Sequence, residues 1–307
     1  MISVVFFGTH DFAAIILEAL ATNQDFSVLG VVTQPDKPVG RKQAIQKSAV
    51  KIVAEKFNLP LFQPATLKKF TAESGELAQA DNFVVCQYGL VIPQAVLDMP
   101  KNGSINIHPS MLPSYRGASP LQTALLNGEK NTGITIMLMD AAVDHGPILI
   151  QEPVTILPDE TYGTLSKRLA PIAANLLIKT LTDWAQKLIE PKEQNHALAT
   201  FTKIFSRDDG KINWHKTAQE IHNQFRALDP WPGIWTMWNG KRLKLLSVGI
   251  STHSAAPGKV SQVNNDLVIG TSHGSITVFK LQLEGGKPTL AAAFLSGHPK
   301  IIGTILE

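Results

Sequence analysis

The feature that most constrains this chain is an alternation kept up over its first 190 residues. Short β-branched or aromatic runs are each followed by a stretch in which apolar side chains recur at helical spacing. Residues 2–7 (ISVVFF) read as a strand, 12–22 as a helix and 27–33 as a second strand. The series continues with a helix over 48–57, a short strand at 61–62, a helix over 67–79, and strands at 82–86 and 104–108. It closes with a helix over 119–127, a strand over 133–140 and a long helix over 162–188. Strands separated by helices build βαβ units, so the spacing predicts an α/β domain, Rossmann-like, with a doubly wound, mainly parallel sheet. The texture then changes. Residues 190–205 are irregular, and beyond them strand-like pieces at 243–248, 258–263, 267–270 and 275–283 are divided by Gly, Asn and Pro, with one helix near 218–228. This pattern fits a C-terminal OB-like β-barrel. The expected division is a domain over 1–189, a linker over 190–205 and a β domain over 206–307, which suits a chain of 307 residues.

Composition removes several alternatives. Hydrophobic residues at 44% and charged residues at 17% exclude a disordered chain. The single cysteine, Cys86, excludes an internal disulfide framework and a cysteine zinc cluster, and it suits a reducing compartment, so the expected location is cytoplasmic. The N-terminus carries no basic leader, and no stretch reaches the roughly 18 uncharged apolar residues of a membrane span. The net charge of +3 alone does not announce a nucleic-acid partner, but its distribution is uneven. Residues 1–200 carry 16 basic and 18 acidic side chains, while residues 201–307 carry 12 and 7. A basic β domain is the footprint expected of a phosphate-facing surface.

The first strand is followed by Gly8-Thr9-His10, not GxGxxG, and GxxxxGK[ST] and HExxH are absent. The informative stretch is residues 105–146. Strand alternation puts Asn106 and His108 on one face at a strand's C-terminal end, where open α/β sheets bind ligands. An amide donor beside an imidazole suits acyl or one-carbon transfer, which needs fixed donors for a developing oxyanion and a group that moves protons near neutral pH. By itself the pair fits a loop cap at least as well. Pro109 and Pro113 stiffen the next loop, and Arg116-Gly117 adds a charged fork at a turn. A carboxylate beside His108 would fix its tautomer. Spacing alone does not choose between Asp144 and Asp140 for that place.

The run from Asn106 to Gly117 (NIHPSMLPSYRG) strongly resembles the NxHxSLLPxxRG signature of folate-dependent formyltransferases, with Asp144 at the position of that family's downstream aspartate. Four further segments are similar to the branch of the family that acts on methionyl-tRNA. They are Phe7-Gly8-Thr9 with Asp11-Phe12-Ala13, the loop from Gln34 to Lys42 (QPDKPVGRK), Tyr88-Gly89-Leu90-Val91-Ile92-Pro93, and the C-terminal pieces RALDPWPG (226–233) and FLSG (294–297). His10 replaces the usual proline, Gln87 the usual alanine, and the second glycine of the loop is missing.

The resemblance implies 10-formyltetrahydrofolate as formyl donor, methionyl-initiator tRNA as acceptor, and a role in translation initiation. It implies Asn106, His108 and Asp144 as catalytic residues, and Ser110, Met111, Leu112, Pro113, Tyr88, Gly89, Leu90 and Ile92 as the folate wall. Lys37, Arg41 and Lys42 would reach the tRNA, although a basic loop is more often simply a solvated one. No metal and no membrane enter this reading, and a monomer is expected. The rivals are a formyltransferase for a sugar amine, a formyl-folate hydrolase and a non-catalytic RNA-binding module. Trp231, Trp235 and Trp238 suit packing better than base stacking.

Overall fold

The computed structural model describes residues 1–39, 44–68, 70 and 75–307. The strands of the first half are β1 (Ile2–Gly8), β2 (Phe26–Val32), β3 (Lys37–Val39), β4 (Ala44–Gln46), β5 (Leu61–Phe62), β6 (Asn82–Cys86), β7 (Ser104–His108), β8 (Asn131–Leu138) and β9 (Ile148–Thr155). Among the described residues β3 and β4 pair with each other, and the other seven form one sheet in the order β5-β2-β1-β6-β7-β8-β9. The pairs from β5 to β7 are parallel, while β7–β8 and β8–β9 are antiparallel. The mainly parallel, doubly wound class is thus what the chain adopts, with two antiparallel strands at one edge. β9 is absent from the sequence reading for a physical reason. It is a half-exposed edge strand interrupted by Pro153, a residue that edges tolerate and sheet interiors do not.

The chain leaves β1 for β2 and β5, then returns to β6 on the other side. The strand order therefore reverses between β1 and β6, and the C-terminal ends there and at β7 form the crevice where such sheets take ligands. Val4–Phe7 of β1 are fully buried because both faces of the sheet are covered, which is why the run is continuously apolar. Helix α1 (Asp11–Thr22) buries Phe12, Ile16, Leu17 and Leu20, and α2 (Ala49–Lys56) starts at Ser48, whose hydroxyl accepts from the Lys51 amide at 3.0 Å. On the other side Phe7 sits among Phe70, Phe83 and Tyr88, with ring centroids 5.2–5.7 Å away. Gly75–Gln79 is a single 3₁₀ turn. The expected helix over 67–79 cannot be followed through residues 69 and 71–74, which lie outside the described residues.

Contacts divide the chain into two units, one of residues 1–117, 131–155 and 166–202, the other of 118–130, 156–165 and 203–307. In the second unit, β10 (Ile234–Trp238), β11 (Lys241–Ser251), β12 (Val260–Val263), β13 (Asp266–Gly270) and β14 (Ser275–Leu283) form an antiparallel sheet in the order β10-β11-β14-β13-β12, and β15 (Thr289–Leu290) joins β14. Its two edges are closed by the last residues. Gly303 donates to Val260 and Leu306 to Gly258 on the β12 side, while Met237 of β10 donates to the Glu307 carbonyl at 3.1 Å. The expected barrel is therefore present, with its seam sealed by the tail. Trp235 and Trp238 are buried, Trp238 edge-on to Phe294, while Trp231 is exposed. The helix Ala218–Leu228 begins with a capping box. Thr217 and Glu220 bond each other's backbone amides, and the Thr217 N–H holds the Glu220 carboxyl below its ordinary range. No helix among the described residues is long and apolar enough to cross a membrane.

Candidate active site

β7 lies between β6 and β8, pairing Asn106 with Val85 on one side and Met137 on the other, so all five of its residues are buried. Its alternation presents Asn106 and His108 on one face. After His108 the loop is held from outside by side chains of the antiparallel strands. Thr135 Oγ1 donates to the Ser110 carbonyl at 2.6 Å and accepts from the Leu112 amide at 3.1 Å, and Gln151 Nε2 donates to the Leu112 carbonyl at 2.9 Å. Ser110 Oγ donates to the Ser114 carbonyl at 2.7 Å. Sequence reasoning missed Thr135 and Gln151. They lie on β8 and β9 at no periodic distance from the loop, and only the strand pairing brings them there.

The loop then completes the constellation. His108 Nε2 lies 2.8 Å from the Tyr115 carbonyl; a carbonyl can only accept, so this nitrogen carries a proton and Nδ1 faces the site. Nδ1 stands 3.5 Å from Asp144 Oδ1, to which Asn106 Nδ2 donates at 3.1 Å. The other carboxylate oxygen, Oδ2, accepts from the Gly117 amide at 2.7 Å. Both backbone conformations that permit this are left-handed, φ +48° at Asp144 and +104° at Gly117. The choice that spacing left open is thereby made: Asp144 meets Asn106 and His108, whereas Asp140 bonds the His145 ring at 2.7 Å and the Ala142 amide, capping the turn. Residues 200–202 run along the outer side of the loop. The Tyr115 amide donates to Thr200 Oγ1 at 2.8 Å, Arg116 exchanges backbone bonds with Thr200 and Thr202, and the Thr202 hydroxyl donates to the Arg116 carbonyl.

The residues expected to form the folate wall fall in two groups. Ser110, Met111, Leu112 and Pro113 belong to the loop just described. Tyr88 is buried, its phenol is pushed up to about 12 by burial, and its hydroxyl meets no partner among the described residues. Leu90 and Ile92 are half-buried against the same cluster as Met139. Gly89 holds φ +78°, and a Cβ there would lie 2.5 Å from Gln34 Nε2. Burial likewise raises the pKa of the Cys86 thiol, leaving it a neutral strand residue.

Lys37 lies on β3, where its Nζ bonds Gln34 Oε1 at 2.6 Å while Gln34 Nε2 bonds the Tyr88 carbonyl at 2.8 Å, linking the basic hairpin to the Tyr88 turn. A cavity of about 340 Å³ opens beside it, lined by Thr9, His10, Gln34, Lys37, Lys47 and Ser48 among others. Two cations that follow the loop in sequence are already engaged, Lys51 of α2 with Asp36 at 2.7 Å and Lys47 with Glu55 at 2.8 Å. Arg41 and Lys42 lie outside the described residues.

Comparison with known proteins agrees along the whole chain. Residues 1–181 match the family described as formyl transferase, and residues 204–299 match its C-terminal domain. The chain is 39% identical to the methionyl-tRNA formyltransferase of Thermodesulfovibrio yellowstonii, covering 96% of both chains. It is 42% identical to that of Roseiflexus sp., covering 96% of this chain and 92% of the relative. Among solved structures, an N-formyltransferase from Helicobacter canadensis, in complex with folinic acid and dTDP-3-aminofucose, superposes with a TM-score of 0.66 over 91% of this chain and 99% of its own, at 24% identity. That likeness speaks to the fold, and the relatives at 39–42% speak to the branch. With both domains matched and full-length relatives at that identity, the chain belongs to the methionyl-tRNA formyltransferase family.

Proposed function

We propose that this protein transfers the formyl group of 10-formyltetrahydrofolate to the α-amine of methionine esterified to initiator tRNA, in the cytoplasm, with Asn106, His108 and Asp144 performing the chemistry. The observation that carries the assignment is the convergence of Asn106 Nδ2, His108 Nδ1 and the Asp144 carboxylate within 3.1–3.5 Å at the end of β7. The neutral amine attacks the formyl carbon, and the carbonyl oxygen gains charge as the C–N bond forms. Asn106 has a second amide N–H to offer that oxygen. His108 Nδ1 takes the proton that the attacking nitrogen must lose, directly or through water, and as imidazolium it then stands beside Asp144 and donates to the oxyanion. Collapse breaks the bond to N10 of the folate, which takes the proton held by the His108 imidazolium, directly or through water, and leaves as tetrahydrofolate with His108 neutral again.

Ser110 to Pro113, with Tyr88, Gly89, Leu90 and Ile92, would hold the folate. Lys37, Arg41 and Lys42 would meet the acceptor stem, and residues 206–307, with their excess of basic side chains, the rest of the tRNA. Removing one oxyanion donor typically costs on the order of 3 kcal/mol of barrier, about a hundredfold in rate. Asn106→Ala is therefore expected to fold and to lose that much turnover. The deciding assay offers 10-formyltetrahydrofolate with charged initiator tRNA, charged elongator tRNA and an amino sugar nucleotide. Formylation of the first alone is expected; formylation of the sugar alone rejects the acceptor assignment.

A further inference from the structure

Asp144 is not glycine, yet its backbone is left-handed, a conformation that side-chain-bearing residues keep only where their surroundings impose it. Gly117 and Asn106 grip its carboxylate, but its main chain is held by a residue fifty positions on. Gln194 is buried between exposed neighbours, Glu193 and Asn195. Its Nε2 donates to the carbonyl of Asp144 at 3.0 Å and to that of Gly146 at 2.8 Å. Its Oε1 accepts from Nε and Nη2 of Arg116 at 3.2 and 2.6 Å. The amide's orientation follows from its partners, because carbonyls only accept and a guanidinium only donates.

Arg116, 3% exposed, also donates from Nη2 to Nδ1 of His196 at 2.9 Å. His196 lies flat on His145, centroids 3.9 Å apart, and His145 is tied to Asp140. On the far side of the turn there is no slack, since a Cβ on Gly146 would lie 2.1 Å from the Leu138 carbonyl. The turn is thus pressed on one side by the end of β8 and drawn on the other by one amide that bridges two of its carbonyls.

We infer that Gln194, locked by Arg116, is a positioning residue for formyl transfer: it holds the 144–146 turn so that the Asp144 carboxylate meets Asn106, Gly117 and His108 together. This rests on the catalytic reading above. Gln194 touches main chain, not reacting atoms, so its effect runs through Asp144.

The test is a double-mutant cycle in the full-length protein. Gln194→Glu keeps the shape but turns an oxygen toward two carbonyls. It is expected to lower kcat about tenfold to a hundredfold, with KM for donor and for tRNA within about threefold. Placed in an Asp144→Asn background it is expected to cost less than about twofold more, because the group it positions has already been disabled. Multiplying losses, or a raised KM with kcat intact, overturn the positioning role while leaving Asp144 catalytic. A fully active Asp144→Asn overturns the catalytic reading and this inference together. If Gln194→Glu does not fold, Gln194→Asn replaces it, and the Gly117 amide proton reports directly. Its ¹H–¹⁵N signal is expected to move upfield as the 2.7 Å bond to Asp144 loosens, and an unmoved signal overturns the inference.

Discussion

Replacing Asp144 by asparagine removes a charge and almost no volume. The structure allows the cost to be followed atom by atom. Oδ2 accepts a 2.7 Å bond from the Gly117 amide, and Oδ1 accepts from Asn106 at 3.1 Å beside His108 Nδ1 at 3.5 Å. An asparagine keeps its oxygen on Gly117 only by turning its NH₂ toward the NH₂ of Asn106, so that donor meets donor and the Asn106 amide must swing away. A charge-assisted bond of this kind contributes about 1.5–3 kcal/mol. At 3.5 Å and an effective dielectric of about 20, a full imidazolium–carboxylate attraction is on the order of 4–5 kcal/mol. Only the part of the charge that develops in the transition state counts toward kcat. Together these give a loss of about 3–4 kcal/mol, or a kcat lower by about 10²–10³. The assay is single-turnover formylation of methionyl-initiator tRNA at saturating donor, alongside thermal unfolding. Both KM values are expected within a few-fold of wild type and the midpoint within a few degrees. A kcat within threefold of wild type would refute the reasoning.

Three further outcomes are expected. Gly117→Ala puts a side chain on a residue at φ +104° with its Cβ 2.9 Å from Thr202 Oγ1, which should cost about 1–3 kcal/mol in urea unfolding and at least tenfold in kcat as the amide leaves Asp144; wild-type values for both would contradict it. Arg41→Ala should weaken use of charged tRNA far more than use of folate, so equal KM and turnover with tRNA would remove Arg41 from the acceptor site. Lys203 and the Ser206 amide hold the Asp209 carboxyl down at about 2. Since this pKa is depressed by folding, the stabilisation is complete above the unfolded value of about 4 and is lost as pH falls toward about 2. The stability gap between wild type and Asp209→Asn should therefore close across that interval, and a gap that stays constant down to pH 2 would exclude the linkage.

Legibility in sequence followed burial. β1 and β6 are covered on both faces and read as largely apolar runs, while β7 alternates Ile105 and Ile107 with Asn106 and His108, so their places and the face shared by Asn106 and His108 were evident from spacing. β9, half-exposed and carrying Gln151, Glu152 and Pro153, offers no such run, yet it supplies a side chain that pins the Leu112 carbonyl. Asp140 and Asp144 look alike in sequence, and what separates them is a left-handed backbone fixed by groups 27 and 50 residues away. Residues 35–51 carry five cations, Lys37, Arg41, Lys42, Lys47 and Lys51, and one acid, Asp36. Lys51 is bound to that acid, and Glu55, on the following helix, takes Lys47.

The strip from 190 to 202 decides where such proteins can be recombined. It grips the 113–117 loop through Thr200 and Thr202 and the 144–146 turn through Gln194. A chimera joined after residue 189 would pair this sheet with another relative's strip and inherit that relative's turn geometry along with its C-terminal domain. A junction at 203 would exchange the barrel and leave the Asp144 carboxylate with the scaffold that shaped it.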